Sequence, residues 1–289
     1  MAKENFVWLR GQIRREPVVI RNKEEKPIGV VFTIYTINRD VTDRTGHLAP
    51  KFDKPVVMIE DPLLVKKALT IKNHDIVELK GVFRTGTSVR KKICPCCNAE
   101  NHVQVTTQVI TPSYIGIVKT GLTSDAEGLN ELIDTAEISN FAKIIGRVCT
   151  PTDKIHYGTT ERNDIFTRYQ LAVNRKMYIA GSDGYDDHTD YPWIISYGKQ
   201  AYNDHIALQQ GSLVYLDGFV HTMLMKVHAK CTECGEDFAF DSQRMMLTPF
   251  SVEYLQNCNN SDIDQTRENK DEEDNTTPDH DRGMDCSIE

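Results

Sequence analysis

The chain repeats itself at an interval of 137 residues, and this repeat constrains the fold more than any other feature of the sequence. The markers are Gly81, Cys94, Cys97 and Thr111-Pro112 in the first repeat and Gly218, Cys231, Cys234 and Thr248-Pro249 in the second. Apolar runs precede both glycines, Asn5-Phe6 and Asn140-Phe141 open the two repeats, and Ile37-Asn38-Arg39 parallels Val173-Asn174-Arg175. Agreement at several places in the same order indicates a duplicated domain.

Within each repeat the local pattern predicts mostly β-strands. Apolar and polar side chains alternate from Tyr169 to Asn174, with the period of two that is typical of a strand. Gly218 is expected to mark a bulge or bend in a curled sheet. One short helix is expected in each repeat, over residues 62–71 and 199–210. Five strands with one helix before the fourth predict an all-β fold with short helices, made of two tandem OB-fold five-stranded barrels.

These patterns divide the chain into four predicted segments. Residues 1–120 form the first OB-fold repeat, 121–137 a helical connector, 138–256 the second OB-fold repeat and 257–289 an acidic tail. The connector rests on the capping-box pattern Ser124-Asp125-Ala126-Glu127, and a polar loop is the alternative.

The tail carries the net charge of the chain. Residues 258–289 hold eleven acidic and three basic residues, so they account for the whole formal charge of −8 and leave the other 257 residues balanced. The tail has no aromatic residue, and a segment that buries so little apolar surface is predicted to be disordered. The chain has no apolar run near the ~20 residues that span a bilayer, and its start resembles no signal peptide, so a cytoplasmic location is expected.

Two Cys-x-x-Cys pairs, Cys94 with Cys97 and Cys231 with Cys234, have the spacing of zinc knuckles. Each pair is predicted to interrupt the hairpin that joins strands four and five of its barrel. A structural zinc needs four ligands, so the simplest arrangement joins both pairs at one ion. Pairing between subunits, or completion by His102, His221 or His228, are alternatives, as are four metal-free thiols. A thioredoxin-like role is disfavoured because that motif opens a helix.

Several blocks of the second repeat carry a family resemblance when they are taken together. They are Asn140 through Gly146-Arg147, residues 171–175, Thr189-Asp190-Tyr191, residues 197–201 and residues 211–218. With these blocks, residues 138–255 resemble the bacterial-type single-stranded DNA-binding protein family. The first repeat, over residues 3–118, matches mainly through its likeness to the second.

The resemblance implies sequence-tolerant binding of single strands, in which bases stack on aromatic rings and basic side chains neutralise phosphates. The residues of the second repeat that match the family's binding positions are Tyr191, Tyr197, Lys199 and Arg175. Trp193 and Tyr178 are further candidate platforms, and Lys143, Arg168 and Lys226 are weaker candidates for phosphate contacts. In the first repeat the candidates are Trp8, Arg39 and Arg84. The alternative for each aromatic side chain is a place in the core, and for each basic side chain a solvated surface position.

The sequence departs from the family pattern in three places. Asp53 and Ile59 are predicted to stand where the second repeat has Tyr191 and Tyr197, so the first barrel is expected to bind weakly or to serve in assembly. A later stacking position is Met225 in the second repeat and Ser88 in the first. The tail ends in Cys286-Ser287-Ile288-Glu289 instead of an acidic-Pro-Phe ending, which weakens the expectation of the usual replication and repair partners.

The predicted function is therefore the binding and protection of single-stranded DNA in replication, recombination or transfer, without catalysis. The chain has no P-loop, nucleophile elbow or paired-carboxylate motif. A homo-oligomer is expected, and a dimer would supply four barrels. The alternative function is a zinc-stabilised scaffold that recruits partner proteins, in part through the tail, or that binds RNA.

Overall fold

The computed structural model describes residues 4–37, 51–135, 139–161, 163–175, 177–178, 185–186 and 188–259. Three features predicted from the sequence lie outside the described part: Arg39, the side chain of Tyr178 and the acidic tail beyond Asn259.

Nearly every described element is a strand. The first repeat contains β1 (Asn5–Ile13), β2 (Val18–Arg21), β3 (Pro27–Ile37), β4 (Phe52–Asp53), β5 (Val56–Ile59), α1 (Pro62–Ala68), β6 (Ile76–Ile93) and β7 (Glu100–Lys119). Helix α2 (Asp125–Ile133) follows. The second repeat contains β8 (Asn140–Val148), a one-turn 3-10 helix (Thr152–Lys154), β9 (His156–Thr159), β10 (Ile165–Asn174), β11 (Met177–Tyr178), β12 (Tyr185–Asp186), β13 (Thr189–Asp190), β14 (Trp193–Tyr197), α3 (Gly198–Ala207), β15 (Leu213–Lys230) and β16 (Asp237–Gln256).

Five strands close into a barrel in each repeat. In the first, β1 pairs with β3 and β6, β6 with β7, β7 with β5 in parallel, and β5 with β3. In the second, β8, β10, β14, β16 and β15 make the same circuit, again with one parallel pair. This topology confirms the predicted all-β class and its OB-type barrels.

The last two strands of each repeat extend far beyond the barrel. β6 and β15 have 18 residues each, and β7 and β16 have 20. A strand rises ~3.3 Å per residue, so 18 residues span roughly 60 Å. Only residues 76–81 of β6 pair with β1, and only residues 213–218 of β15 pair with β8. Gly81 of β6 and Gly218 of β15 lie where the pairing register of each long hairpin shifts. A Cβ at Gly218 would stand 2.2 Å from the carbonyl oxygen of Thr248, and the register shifts beside this glycine as predicted.

The three helices cover the barrels at the places that the sequence predicts. Asp61 caps α1, because its carboxylate accepts hydrogen bonds from the backbone amides of Leu63 and Leu64 at 2.8 and 3.2 Å. Ser124 caps α2 by accepting from the amide of Glu127 at 3.3 Å. The Glu127 carboxylate in turn accepts from the amide of Thr123 at 2.8 Å. The capping pattern therefore opens a helix rather than a polar loop.

The two barrels share a continuous sheet. β1 and β8 pair antiparallel, from Asn5 opposite Ile144 to Leu9 opposite Asn140, and this ladder joins the first barrel to the second. Fourteen of the described strands consequently belong to one sheet. The largest cluster of buried apolar side chains among the described residues draws on both barrels. No helix in the described ranges is long and apolar enough to cross a membrane.

Candidate metal centre and nucleic-acid interface

The tips of the two long hairpins meet, and four cysteines lie at the meeting point. The Sγ atoms of Cys94, Cys97, Cys231 and Cys234 all lie within 4.8 Å of one another. Two cross-repeat separations are 3.8 Å, between Cys94 and Cys234, and 3.6 Å, between Cys97 and Cys231. A tetrahedral ion with Zn–S bonds of ~2.3 Å places its sulfur atoms about 3.8 Å apart. The tetrathiol cluster, as we call these four side chains, therefore has the dimensions of a four-coordinate metal site.

The backbone around each pair has the turn of a metal knuckle. The amide of Cys94 donates to the carbonyl of Ala99 at 2.9 Å, and the amide of Cys231 donates to that of Glu236 at the same distance. Asn98 and Gly235 follow the second cysteines and take positive φ angles of 58° and 75°. These residue types tolerate that conformation best, which explains why they stand there.

Asn101 of the first repeat supports the knuckle of the second. Its amide nitrogen lies 3.4 Å from the Sγ atom of Cys231, and its carbonyl oxygen accepts a hydrogen bond from the backbone amide of Thr232 at 2.9 Å. The backbone amide of Cys234, together with Asn101, lowers the pKa of the Cys231 thiol to about 6. Groups that stabilise a thiolate in this way prepare a metal ligand.

The four cysteines of the two pairs come together within one chain, as the simplest of the predicted arrangements requires. The ion itself stays a prediction. The ring of His221 instead lies 3.0 Å from Asp53, and that of His102 lies 3.2 Å from Glu100. Among the described residues, the only group of three or more potential ligands close enough to share an ion is this one.

A second feature is the outer face of β10 and β14, which carries aromatic and basic side chains. Cross-strand pairing sets Phe166 opposite Tyr197 and Gln170 opposite Trp193, with Arg168 between them on the same face. The alternate residues, such as Tyr169 and Ile194, point into the core. We call Phe166, Arg168, Trp193 and Tyr197 the aromatic face. Its rings are half-buried, and burial raises the pKa of the Tyr197 hydroxyl.

Two further predicted residues lie next to this face. Tyr191 is 46% exposed, while its backbone is fixed by a bond from its amide to the hydroxyl of Thr85 at 2.8 Å. Gln170 donates to its carbonyl at 2.9 Å, so the ring is held at a defined place. Lys199 is exposed at the start of α3, two residues after Tyr197. Tyr191, Trp193, Tyr197 and Lys199 thus follow one another from the residues just before β14 to the first turn of α3.

Arg175 does not belong to this group. Its side chain is only 2% exposed, and its guanidinium binds Asp190 at 2.8 and 3.1 Å. A guanidinium that is buried on a carboxylate is not presented to a phosphate. The sequence pattern could not show this, because the partner is set by the pairing of β10 with β13.

The other predicted residues are spread over the molecule. Trp8 and Lys143 lie on the outer side of the β1–β8 ladder, where Lys80 stands 4.9 Å above the Trp8 ring. Arg84 forms an ion pair with Glu60 at 2.5 Å. Lys226 is exposed on the distal part of the second hairpin. These four do not join the aromatic face.

The predicted equivalence of the two repeats was wrong by one residue in this region. Asp53 pairs with Thr36 and Asp190 with Val173, so the interval of 137 makes Asp53 the counterpart of Asp190 rather than of Tyr191. Lys54 and Glu60, not Asp53 and Ile59, then stand at the positions of Tyr191 and Tyr197. Thr36, rather than Ile37, likewise corresponds to Val173. The first repeat still lacks both rings, as predicted.

The sequence analysis did not predict four residues of this region: Phe166 and His156, whose rings lie on the outer face, and Arg244 and Gln108, which bond across the two repeats. His156 packs against Phe166 with a centroid separation of 5.2 Å and so extends the aromatic face toward β9. Alternation along β10 and β16 is the signal that could have placed Phe166 and Arg244 on an outer face. No local pattern could have brought Gln108 of the first repeat to the second.

Comparison with known proteins rests on structure alone. No protein-family model matches the chain, and neither does any curated protein. The wild-type single-stranded DNA binding protein from Thermus aquaticus aligns with a TM-score of 0.54 and 10% identity, over 88% of this chain and 95% of that chain. A deletion mutant of the same protein aligns with a TM-score of 0.55 and 11% identity, over 87% and 94%. At these identities the likeness is one of fold: this chain is built like a solved single-stranded DNA binding protein.

Proposed function

We propose that the protein binds single-stranded DNA without sequence preference and without catalysing a reaction. The observation that carries the proposal is the aromatic face, with Tyr191 and Lys199 beside it, on a barrel of the fold seen in single-stranded DNA binding proteins. Unpaired single-stranded DNA exposes the flat faces of its bases and a charged backbone. Aromatic rings and basic side chains on one curved sheet match both.

We also propose that the tetrathiol cluster holds one structural zinc ion. The support is the all-cysteine donor set, the sulfur separations and the two knuckle turns. Four thiolates leave no open coordination position, which is typical of structural rather than catalytic zinc. Bound zinc would fasten the hairpin of the first repeat to that of the second.

Wider aspects of the proposal rest on the sequence. The binding units are proposed to be residues 1–120 and 138–256, joined by 121–137, and the acidic tail would recruit replication, recombination or repair proteins. A dimer remains the expected assembly. RNA binding, or a scaffold that recruits partner proteins, is the alternative function.

Titration of a fluorescently labelled dT oligonucleotide, followed by anisotropy at low and high salt, tests the central proposal. We expect saturable binding that weakens as salt rises, because phosphate contacts release counterions. Tyr191→Ala should weaken binding by about 5- to 150-fold, which corresponds to the ~1–3 kcal/mol of one stacked base.

The matched control is Tyr114→Ala, since Tyr114 is 47% exposed on the first repeat and Tyr191 is 46% exposed on the second. The control should bind like the unmodified protein. Absence of binding at low salt would refute the proposal and favour the scaffold. Tighter binding of an rU oligonucleotide than of dT would favour RNA.

A further inference from the structure

A cavity lies where the hairpin of the first repeat crosses the second barrel. Its volume is about 230 Å³. The first repeat lines it with Thr106 and Gln108, and the second lines it with Arg168, Trp193, Met225, Arg244 and Met246. Pockets for drug-sized ligands measure ~300–1,000 Å³, so this one suits a group the size of a single base or phosphate.

The crossing is fixed by bonds between the repeats. The guanidinium of Arg244 donates to the carbonyl of Thr106 at 2.7 Å, and the backbone amide of Met245 donates to the side-chain oxygen of Gln108 at 2.8 Å. Arg90 of the first repeat reaches the hydroxyl of Ser242 at 3.4 Å. Neither repeat alone could form these walls.

The cavity carries positive charge that no carboxylate of the described residues balances. No acidic residue lines it, and Arg90, Arg168 and Arg244 make no ion pair with any described acidic residue. Partial burial and the nearby charge of Arg90 lower the pKa of Arg244. An anion placed among these side chains would relieve that repulsion.

Arg168 also has an unused donor. Its Nε atom is buried and has no hydrogen-bond partner among the residues that the structure describes. A buried donor without a partner costs about 1–3 kcal/mol. The cost is offset if a ligand supplies the acceptor, and an oxygen of a phosphate group is a strong one.

A flat apolar wall stands beside this charge. The Arg168 guanidinium lies 5.5 Å from the centre of the Trp193 ring, and Met225 and Met246 line the cavity with them. Trp193 is half-buried on the outer face of β14, so its ring is held in place without being enclosed in the core. Such a surface accepts the face of a base.

We propose that this cleft binds one nucleotide unit of a single strand, with the base against Trp193 and the phosphate at Arg168 and Arg244. The inference rests on the proposed function and deepens it, because it makes the crossing of the two repeats a composite binding site. The strand would run from the aromatic face into the cleft. The tetrathiol cluster closes the far end of the same two hairpins and so helps to fix their crossing.

The test compares two charge-matched double variants in dT titrations at several salt concentrations. Arg168→Gln with Arg244→Gln removes two charges from the cleft. Lys23→Gln with Lys26→Gln removes two charges from an exposed turn of the first repeat. The cleft variant should bind more weakly and lose roughly 1.4 from the slope of log affinity against log salt, at ~0.7 per phosphate contact on a single strand. The turn variant should keep both the affinity and the slope.

A second readout uses the two tryptophans of the chain, Trp8 and Trp193. In a Trp8→Phe background Trp193 is the only tryptophan, so quenching by dT reports contact at its ring, and loss of quenching in Arg244→Gln, a residue outside the aromatic face, assigns that contact to the cleft. We expect quenching there, and its loss when Arg168 and Arg244 are also replaced.

The outcomes separate the two proposals. If labelled dT binds both double variants equally and Trp193 fluorescence does not change, the cleft is not used, and the proposed function stands without it. If neither the unmodified protein nor any variant binds dT, the proposed function itself is refuted. If the cleft variant alone loses affinity, slope and quenching, the composite site is supported.

Discussion

Asp53 and Asp190 are equivalent residues, and each binds the other repeat in the same way. The carboxylate of Asp190 accepts from the amide of Thr85 at 2.8 Å, and that of Asp53 accepts from the amide of Thr222 at 2.6 Å. Their side-chain partners differ, because Asp190 holds the buried guanidinium of Arg175 whereas Asp53 holds the ring of His221. One position therefore has a common structural role and two different electrostatic environments.

This difference predicts that replacing the aspartate by asparagine lowers the free energy of unfolding by different amounts at the two positions. Asp190→Asn should lower the free energy of unfolding by about 1–3 kcal/mol, because the buried guanidinium of Arg175 loses a charged acceptor. Asp53→Asn, the matched control, should cost less, since His221 is 28% exposed and can be solvated. Urea unfolding of both variants measures the difference. Equal losses would show that the shared backbone contact, not the ion pair, dominates.

At the scale of elements, the sequence predicts the cysteine knuckles of the two long hairpins but not that the tips of these hairpins meet. The cysteine spacing predicts two knuckles, and both are present. Their meeting depends on how far two strands of 18 residues extend and in which direction, which the spacing does not contain. The predicted counterparts of Tyr191 and Tyr197 in the first repeat were wrong by one residue for a related reason. The interval is 135 between Asn5 and Asn140 but 137 between the glycines, so the repeats contain a length change that only strand pairing locates.

The hairpin tips supply a prediction about metal content. Protein purified with zinc should contain about one ion per chain, as four thiolates complete one tetrahedral site. Cys97→Ser should lower that content and the thermal midpoint, because it removes one of the four ligands. Elemental analysis and thermal unfolding measure both effects.

Cys96→Ser is the control, since Cys96 is exposed beside Cys97 and lies outside the tetrathiol cluster. It should keep the zinc and the midpoint. Equal zinc contents in the two variants would contradict the proposed coordination.

At the scale of the whole molecule, the sequence predicts two barrels but not their continuous sheet. The alternation within each strand and the order of elements are local and repeated, so the barrels follow from them. β1 and β8 each pair with strands of their own barrel as well as with each other. No residue pattern in either strand predicts the pairing between them. The Arg244–Thr106 bond has the same origin, as it depends on the relative position of the barrels.

The shared sheet predicts that both repeats unfold together. Trp8 reports the first repeat and Trp193 the second, so single-tryptophan variants, Trp193→Phe and Trp8→Phe, follow each repeat separately in urea. We expect coincident midpoints, because opening one barrel exposes the ladder and the cross-repeat bonds of the other. Two separated transitions would show that the repeats are independent units.

The two repeats share a scaffold in which Thr85 and Asp190 mirror Thr222 and Asp53, yet only one of them bears Tyr191 and Tyr197. Two identical subunits around a twofold axis would offer a strand the same surface from either end. Within one chain no operation exchanges the two repeats, so the two ends of this scaffold are chemically distinct. If the chain binds single strands as proposed, a strand that lies across one chain meets different side chains at its two ends and acquires a preferred polarity.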